Sequence, residues 1–542
     1  MSKNVRIRTV MMLCIIGMIC SSLGACIPPS ERSSADYIGP RPVSQVGVVP
    51  EDTSDAVMTH KSESMSLPAG PLQVTVQGAI LLALENNRAL KVEKLGPAIT
   101  RTTEDAERAV FDPLLAGRYS QYREKNQIPS RSTAESLEND RTTALGISAY
   151  LPTGTSVDVS ASTERTWSDL YTDDLYSSRA GFSVTQALLR GGGLQYNLAR
   201  LRQARIDTRI SQFELRGFAE SLIARVENTY WDYALVQRQI KIFLESLKLA
   251  EQQKTETEEI IRIGALAESE LAAAEAEVAL RRENLINARS NLETTRLLLL
   301  RLLNPPDANL WQRDIKLLLE PKLPEVQLDD VESHVNVALR MRPDLNQARL
   351  QSLRGDLEVV RTKNGLLPRM DLFINLGTTG YAGSFGDSVR DADGTSYDLL
   401  AGISLEYPVV NREARAKYER SILSREQAEE ALQNLAQLVQ VDVRAAYIEV
   451  TRAKEQIAAT AATRVLQEEK ARIESEKFRV GKSTTLLVAQ AQRDLLQSRI
   501  KEIQTIANYL KSLVALYRLE GSLLERRGIA APGGHPSERS PR

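Results

Sequence analysis

Apolar positions along this chain follow three different periods, and the period changes in a fixed order. From residue 75 a short helical pattern runs to Phe111-Asp112-Pro113, where Pro lacks the donor to continue a helix. Alternation of apolar and polar residues follows, clearest in Thr155-Ser156-Val157-Asp158-Val159-Ser160-Ala161. It predicts strands over 114–123, 142–151, 155–165 and 177–187, with Leu151-Pro152-Thr153-Gly154 turning between the middle pair. Residues 125–141 read as a polar spacer. From Leu194 to Arg262 the period becomes helical, with no Pro and only Gly217 as an interruption. At about 1.5 Å per residue this helix is roughly 100 Å long. A shorter helix to about Leu303 follows, in which Leu271, Val278, Leu285, Leu292 and Leu299 step by seven, the seam of a left-handed coiled coil.

The whole order then repeats. Ala83-Leu84-Glu85-Asn86 finds its counterpart in Ala338-Leu339-Arg340-Met341, an offset of 255. Strands are predicted at 370–381 and 397–407, and a second long helix runs from Arg412 to Arg479 without Pro or Gly. A shorter helix to about Leu519 carries Leu496, Ile500, Ile503, Ala507, Leu510, Val514 and Tyr517 at steps of four and three. In the long helices the offset is 217: Val226 with Val443, Tyr230 with Tyr447, Ile240 with Ile457. Gly264, in Arg262-Ile263-Gly264, and Gly481, in Arg479-Val480-Gly481, mark equivalent reversals. An internal duplication of this kind is evidence about architecture before chemistry. By the last strands the offset has fallen from 255 to 221, as in Ser183 with Ser404, because the first β segment holds 255 − 221 = 34 extra residues, room for two more strands.

The predicted organisation is a signal segment 1–25, an extended tether 26–74, a first unit 75–304, a linker 305–327, a second unit 328–525 and a disordered tail 526–542. The fold class is mainly α with a β-barrel portion: duplicated long helical hairpins, plus strands given to a shared barrel. Lys3, Arg6 and Arg8 precede a short apolar run and then Leu23-Gly24-Ala25-Cys26, a secretory signal with a lipoprotein-type cleavage site. It makes Cys26 the candidate acylated residue of the mature chain. No other span is apolar for 18 residues, so a membrane crossing must be a closed barrel.

Composition narrows the function by exclusion. Charged residues make up 26% and nearly cancel, giving a net charge of −1 and no basic excess for nucleic acid. Cys14 and Cys20 lie in the leader and Cys26 is the acylation candidate just after it, and His60, His334 and His535 are scattered, so no metal cluster or disulfide is expected. Gly191-Gly192-Gly193 lacks the Lys-Ser/Thr of a phosphate loop and reads as a hinge between strand and helix. No nucleophile–base set emerges; the chain reads as a non-enzyme without cofactors.

With its repeated order of helix, strands, long helix, RxG turn and helix, its junctions at Gln186-Ala187-Leu188-Leu189-Arg190-Gly191 and Tyr407-Pro408-Val409-Val410-Asn411, and its lipoprotein leader, the chain resembles the TolC family of outer-membrane efflux proteins over about residues 75–525. The resemblance implies a homotrimer in the outer membrane lipid, with a shared β-barrel and a periplasmic helical tunnel. It implies export of drugs, other small molecules or secreted polypeptides with a periplasmic adaptor and an energised inner-membrane pump of RND or ABC type. Arg262, Gly264, Arg479 and Gly481 become adaptor-facing tip residues, although Arg262 and Arg479 serve equally as helix-end caps. Gly191, Gly192, Gly193 and Pro408 become barrel–helix junctions. In the best-known family member, carboxylates six and nine residues past the second glycine form constriction rings; here those positions hold Leu487 and Gln490, so Gln490 and the first-unit Glu268 and Glu270 are the candidate constriction. Two departures stand out: Ala187 replaces a usual junction Pro, and the extra 34 residues give either six strands per copy, 18 in a trimer against the usual 12, or a surface hairpin outside the barrel. The alternative function is a non-transporting, envelope-spanning coiled-coil lipoprotein.

Overall fold

Thr75 starts the first helix by accepting the Gly78 amide at 3.0 Å, and Asn87 starts the next by accepting that of Leu90 at 3.1 Å. Both belong to a computed structural model that describes residues 70–127, 135–168, 173–264, 266–306, 310–318, 327–393 and 395–530. The elements of the first unit are β1 (Leu72–Val74), α1 (Val76–Asn86), α2 (Arg88–Glu93), α3 (Gly96–Arg108), β2 (Leu114–Gln127), β3 (Glu135–Leu151), β4 (Thr155–Ser168), β5 (Leu175–Ala187), α4 (Leu194–Asn197), α5 (Ala199–Arg262) and α6 (Ser269–Leu303). The second unit adds β6 (Ile315–Leu317), α7 (Val331–Met341), α8 (Pro343–Asn364), β7 (Arg369–Ala382), α9 (Phe385–Asp391), β8 (Tyr397–Glu406), α10 (Arg412–Arg479), α11 (Thr485–Glu520) and α12 (Leu523–Arg526).

β2 to β5, β7 and β8 form one antiparallel sheet in the order β2-β3-β4-β5-β7-β8. The additional hairpin is therefore part of the sheet: β4 pairs with β3 along one edge and with β5 along the other. Strands extend further than alternation predicts. β2 and β3 pair from Leu114↔Ser148 to Gln127↔Glu135, so most of the polar spacer is strand. In the β7–β8 connection α9 lies against β7, where Gly380 leaves room; a Cβ there would fall 2.1 Å from the Ser388 carbonyl oxygen.

The long helices α5 (64 residues) and α10 (68 residues) span about 96 and 102 Å. The first begins at Ala199 and not at Leu194, because a separate short helix precedes it. Gly217 does not interrupt it; it faces Pro343, whose Cβ lies 3.5 Å from where a side chain would start. The predicted seams are buried at Val278, Leu285 and Leu299, and at Leu496, Ala507, Leu510, Val514 and Tyr517. Below the sheet the helices lie side by side as α3–α5–α8–α10; further away the order is α6–α5–α11–α10.

The largest core sits midway, where β1 and β6 pair in parallel beside Tyr230 and Tyr233, whose hydroxyls reach the Val74 and Ile315 carbonyls. So the last three residues of the predicted tether, and part of the predicted linker, are structural. The predicted tail also begins too early. α12 includes Arg526, and Arg527 donates to both oxygens of Glu227 at 2.7 and 2.6 Å, a carboxylate with no exposed surface. Nearby, buried His334 pairs with Glu520, which also accepts from Ser522. Arg216 joins Glu220, Glu525 and the Gly521 carbonyl. Three charged contacts thus bind the C-terminal segment to α5 and α7.

Removing Arg527 would leave a buried, unpaired carboxylate. Arg527→Ala is expected to cost about 3 kcal/mol, read from denaturant unfolding of detergent-solubilised protein, and Glu227→Gln in the same chain should recover most of it. Glu220 makes stability depend on pH. Burial pushes its carboxyl up from 4.5 to about 7, against the pull of Arg216. The fold therefore holds this proton more tightly than the unfolded chain does, and the contribution is full below pH 4.5 and lost as pH rises through 7. Relative to Glu220→Gln, the native protein should lose melting temperature between those two values and change no further above them.

Candidate functional site

Register decides what the sheet can face. Because side chains alternate along a strand and pair across it, the pairings sort residues onto two surfaces. One holds Leu115 and Tyr119, Leu145 and Ile147, Val157 and Val159, Phe182 and Val184, Leu372, Ile374 and Leu376, and Leu399, Ile403 and Leu405. The other holds Arg118 and Ser120, Ser148 and Tyr150, Ser156, Asp158 and Ser160, Arg179 and Ser183, Asp371 and Asn375, and Asp398 and Ser404. An apolar surface backed by a charged one fits a wall between hydrocarbon and water.

The polar surface is built over glycines. Arg179 on β5 reaches Asp398 on β8 with two hydrogen bonds of 2.6 and 2.8 Å, passing over β7. It can do so because Gly377 lies between; a Cβ there would sit 2.4 Å from the guanidinium. Phe373, an apolar residue on this side, covers Gly402 in the same way. Neither arrangement is signalled by alternation, although two glycines at polar-face positions of neighbouring strands are a sign of crossing side chains.

The junction below the sheet is pinned, contrary to the expected hinge. Gly191 (φ 88°) donates to Asn364 Oδ1 at 2.8 Å, and its carbonyl accepts from Asn197 Nδ2 at 2.9 Å. Gly193 (φ 93°) donates to the Thr153 carbonyl at 3.1 Å. The β3–β4 turn therefore rests on this loop, and at Gly154 (φ 87°) a Cβ would meet the Gly191 carbonyl at 2.4 Å. A Cβ on Gly192 would meet the Ala187 carbonyl at 2.6 Å. Positive φ and close backbone approach together require glycine here. At the second junction Tyr407, Pro408, Val409 and Val410 are exposed, and Asn411 (φ 44°) ties the turn to the Leu366 carbonyl.

Each far tip turns on a glycine in the left-handed region, Gly264 (φ 73°) and Gly481 (φ 72°). At the second, Lys482 donates to the Lys477 carbonyl at 2.8 Å and Gly481 to that of Phe478 at 3.0 Å, a Schellman closure. Glu474 accepts from Lys477 and Ser483 across this turn, and those bonds hold its carboxyl below the usual range. Ile263 and Val480 are 74% and 67% exposed, an apolar point on each tip. Arg479 pairs with Glu476 of its own helix, and Arg262 is exposed without an ion pair. Glu268 is the N-cap residue of α6 and Glu270 lies in its first turn, where the helix dipole favours acids. Gln490 is exposed on α11. Nothing bonds these three to one another within one copy. Cys26 lies outside the described residues, and no group of three metal-binding side chains occurs among them.

The two surfaces predict opposite responses to the same charge. Val159→Arg, in mid-strand on the apolar side, should destabilise by about 2–4 kcal/mol, seen as loss of folded protein from the outer-membrane fraction. Ser160→Arg, one residue on, should leave that level nearly unchanged. At the turns, Gly154→Ala should abolish folded protein, whereas Gly264→Ala, which has open space for its Cβ, should cost about 1–2 kcal/mol, measured by thermal melting.

Residues 335–522 match the family model described as outer membrane efflux protein. No curated protein matches the sequence. Among solved structures, the CmeC outer membrane channel of Campylobacter jejuni superposes with a TM-score of 0.63 at 17% identity, covering 89% of this chain and 94% of that one. CusC, described with its transmembrane channel formation, gives 0.62 at 16% identity over 84% and 95%. VceC of Vibrio cholerae gives 0.60 at 13% over 82% and 96%. The family matched by residues 335–522 is one of the outer membrane. Residues 335–522 carry the sequence signature of the outer membrane efflux proteins, and the chain as a whole has the fold of outer-membrane channels.

Proposed function

We propose that three copies of this chain form an export duct, with the polar surface of the sheet lining its bore. The observation that carries this reading is the two-faced sheet continuing into helices about 100 Å long, in a chain where no described helix is long and apolar enough to cross a membrane. A spacer has no use for a charged inner surface such as Arg179–Asp398.

One copy is incomplete along both sides. β2 and β8 each have an unpaired edge, which hydrocarbon does not tolerate. The helices that continue those edges, α3 and α6 on one side and α10 on the other, leave apolar residues uncovered: Ile99 and Ile286, against Val441, Ile448 and Leu466. Copies joined β8 to β2 and α10 to α3 and α6 cover both. Three copies give 18 strands, in the range that encloses an aqueous lumen. Acylated Cys26 adds a lipid anchor.

Transport in such a duct is passive, so energy comes from an inner-membrane pump of RND or ABC type, reached through a periplasmic adaptor at the tips around Gly264 and Gly481. The cargo is drugs and other small molecules or secreted polypeptides. With Cys26 acylated the mature chain has no free thiol, so Lys482→Cys carries a photo-crosslinker uniquely. In intact cells it is expected to capture a periplasmic adaptor, identified by mass spectrometry. Capture of sister copies alone would sink the adaptor assignment.

A further inference from the structure

Beneath the sheet, where α5 and α10 begin and α8 ends, lies a basin of about 780 Å³. Six cationic side chains line it, with two acids. Both acids are already engaged: Glu358 by Arg361 and Gln203, and Glu413 by Lys417. The other four cations, Arg190, Arg200, Arg412 and Arg420, have no side-chain hydrogen bond or ion pair within the copy. Four like charges around one hollow repel each other; only Arg190 feels an acid of the basin, Glu413, which Lys417 already holds, so six cations face two acids. Two helix starts also converge here against one helix end; neither Leu198 nor Asn411 caps its helix with a side chain, so positive backbone ends add to the field. The basin opens toward the bore: Arg190 and Tyr196 also line the adjoining hollow, whose other walls include Ser156, Thr185 and Asp371 of the polar surface.

We infer that this basin is an anion-binding station on the duct wall, taking organic anions that carry sulfonate, carboxylate or phosphate groups. Guanidinium groups suit such ligands because their planar forks bind oxyanions in pairs and stack on flat apolar surfaces. In a trimer the station recurs three times at one level, so a passing anion meets twelve arginines there, none of them in a side-chain hydrogen bond or ion pair within its own copy. The inference rests on the duct reading above, since a basin outside a bore would see no cargo.

The test is single-channel recording in phosphatidylcholine bilayers, with naphthalene-1,5-disulfonate added on the periplasmic side at low salt. Wild-type current should be blocked, and the block should weaken as salt rises. In the variant Arg190→Gln, Arg200→Gln, Arg412→Gln, Arg420→Gln the half-blocking concentration should rise by about tenfold or more, as expected for lost charge-assisted bonds. A control variant, Arg282→Gln, Arg289→Gln, Arg452→Gln, Arg472→Gln, removes the same charge from other helix surfaces and should block like wild type. Open-channel current without block, or equal weakening in both variants, overturns the station and leaves the duct intact. No current from wild type at all overturns the duct itself. Phosphatidylglycerol retained by wild type but not by the first variant, in native mass spectra, together with no block, would assign the basin to a membrane headgroup and also overturn the inference.

Discussion

Backbone hydrogen bonding in hydrocarbon constrains everything else in this molecule. A strand in lipid must find partners on both sides, so a sheet with two open edges cannot be a finished object. The six-stranded sheet has such edges at β2 and β8, and the helical layer repeats the problem with uncovered apolar stripes on α3, α6 and α10. Both deficits fall on the same two sides. The association proposed above would therefore repair the sheet and the helical layer together.

The same constraint explains where glycine is concentrated. Chain must pass from a sheet into helices within a few residues, and the backbone groups released there need new partners. Asn197, Asn364 and Asn411 supply them by bonding to loop amides and carbonyls. Those contacts need close backbone approach, which Gly154 and Gly192 permit, and a left-handed turn, which Gly191 supplies. The triple glycine that looks like a flexible joint in sequence is held from three directions. Midway along the molecule polar side-chain pairs take over this fastening role, through Arg527–Glu227, Arg216–Glu525 and His334–Glu520.

Period and offset made the elements legible, because each depends on many residues in a row. The six strands, both long helices, the seams at Leu285 and Leu510 and the turns at Gly264 and Gly481 all stand where those patterns put them. What escaped depends on few residues or on distant ones. β1 and β6 have three residues each, too few for alternation. Strand ends past Arg123 and before Thr142 are polar, and polarity alone reads as loop. Arg527 looks like the start of a tail because its partner is 300 residues away. The arginine basin draws on Arg190, Arg200, Arg412 and Arg420, which meet only after the sheet brings β5 and β8 to the same level.

The additional hairpin formed by β3 and β4 also changes the breadth of the wall. Strands lie about 4.8 Å apart, and at a tilt near 40° each takes up roughly 6 Å of circumference, so six occupy about 38 Å. The four helices directly beneath, α3, α5, α8 and α10, at about 9–10 Å each, occupy roughly the same arc. Four strands would cover only about two-thirds of it. In the duct proposed above, a tube assembled from such segments would keep one cross-section through the junction, and cargo leaving the helical part would meet no narrowing where the sheet begins.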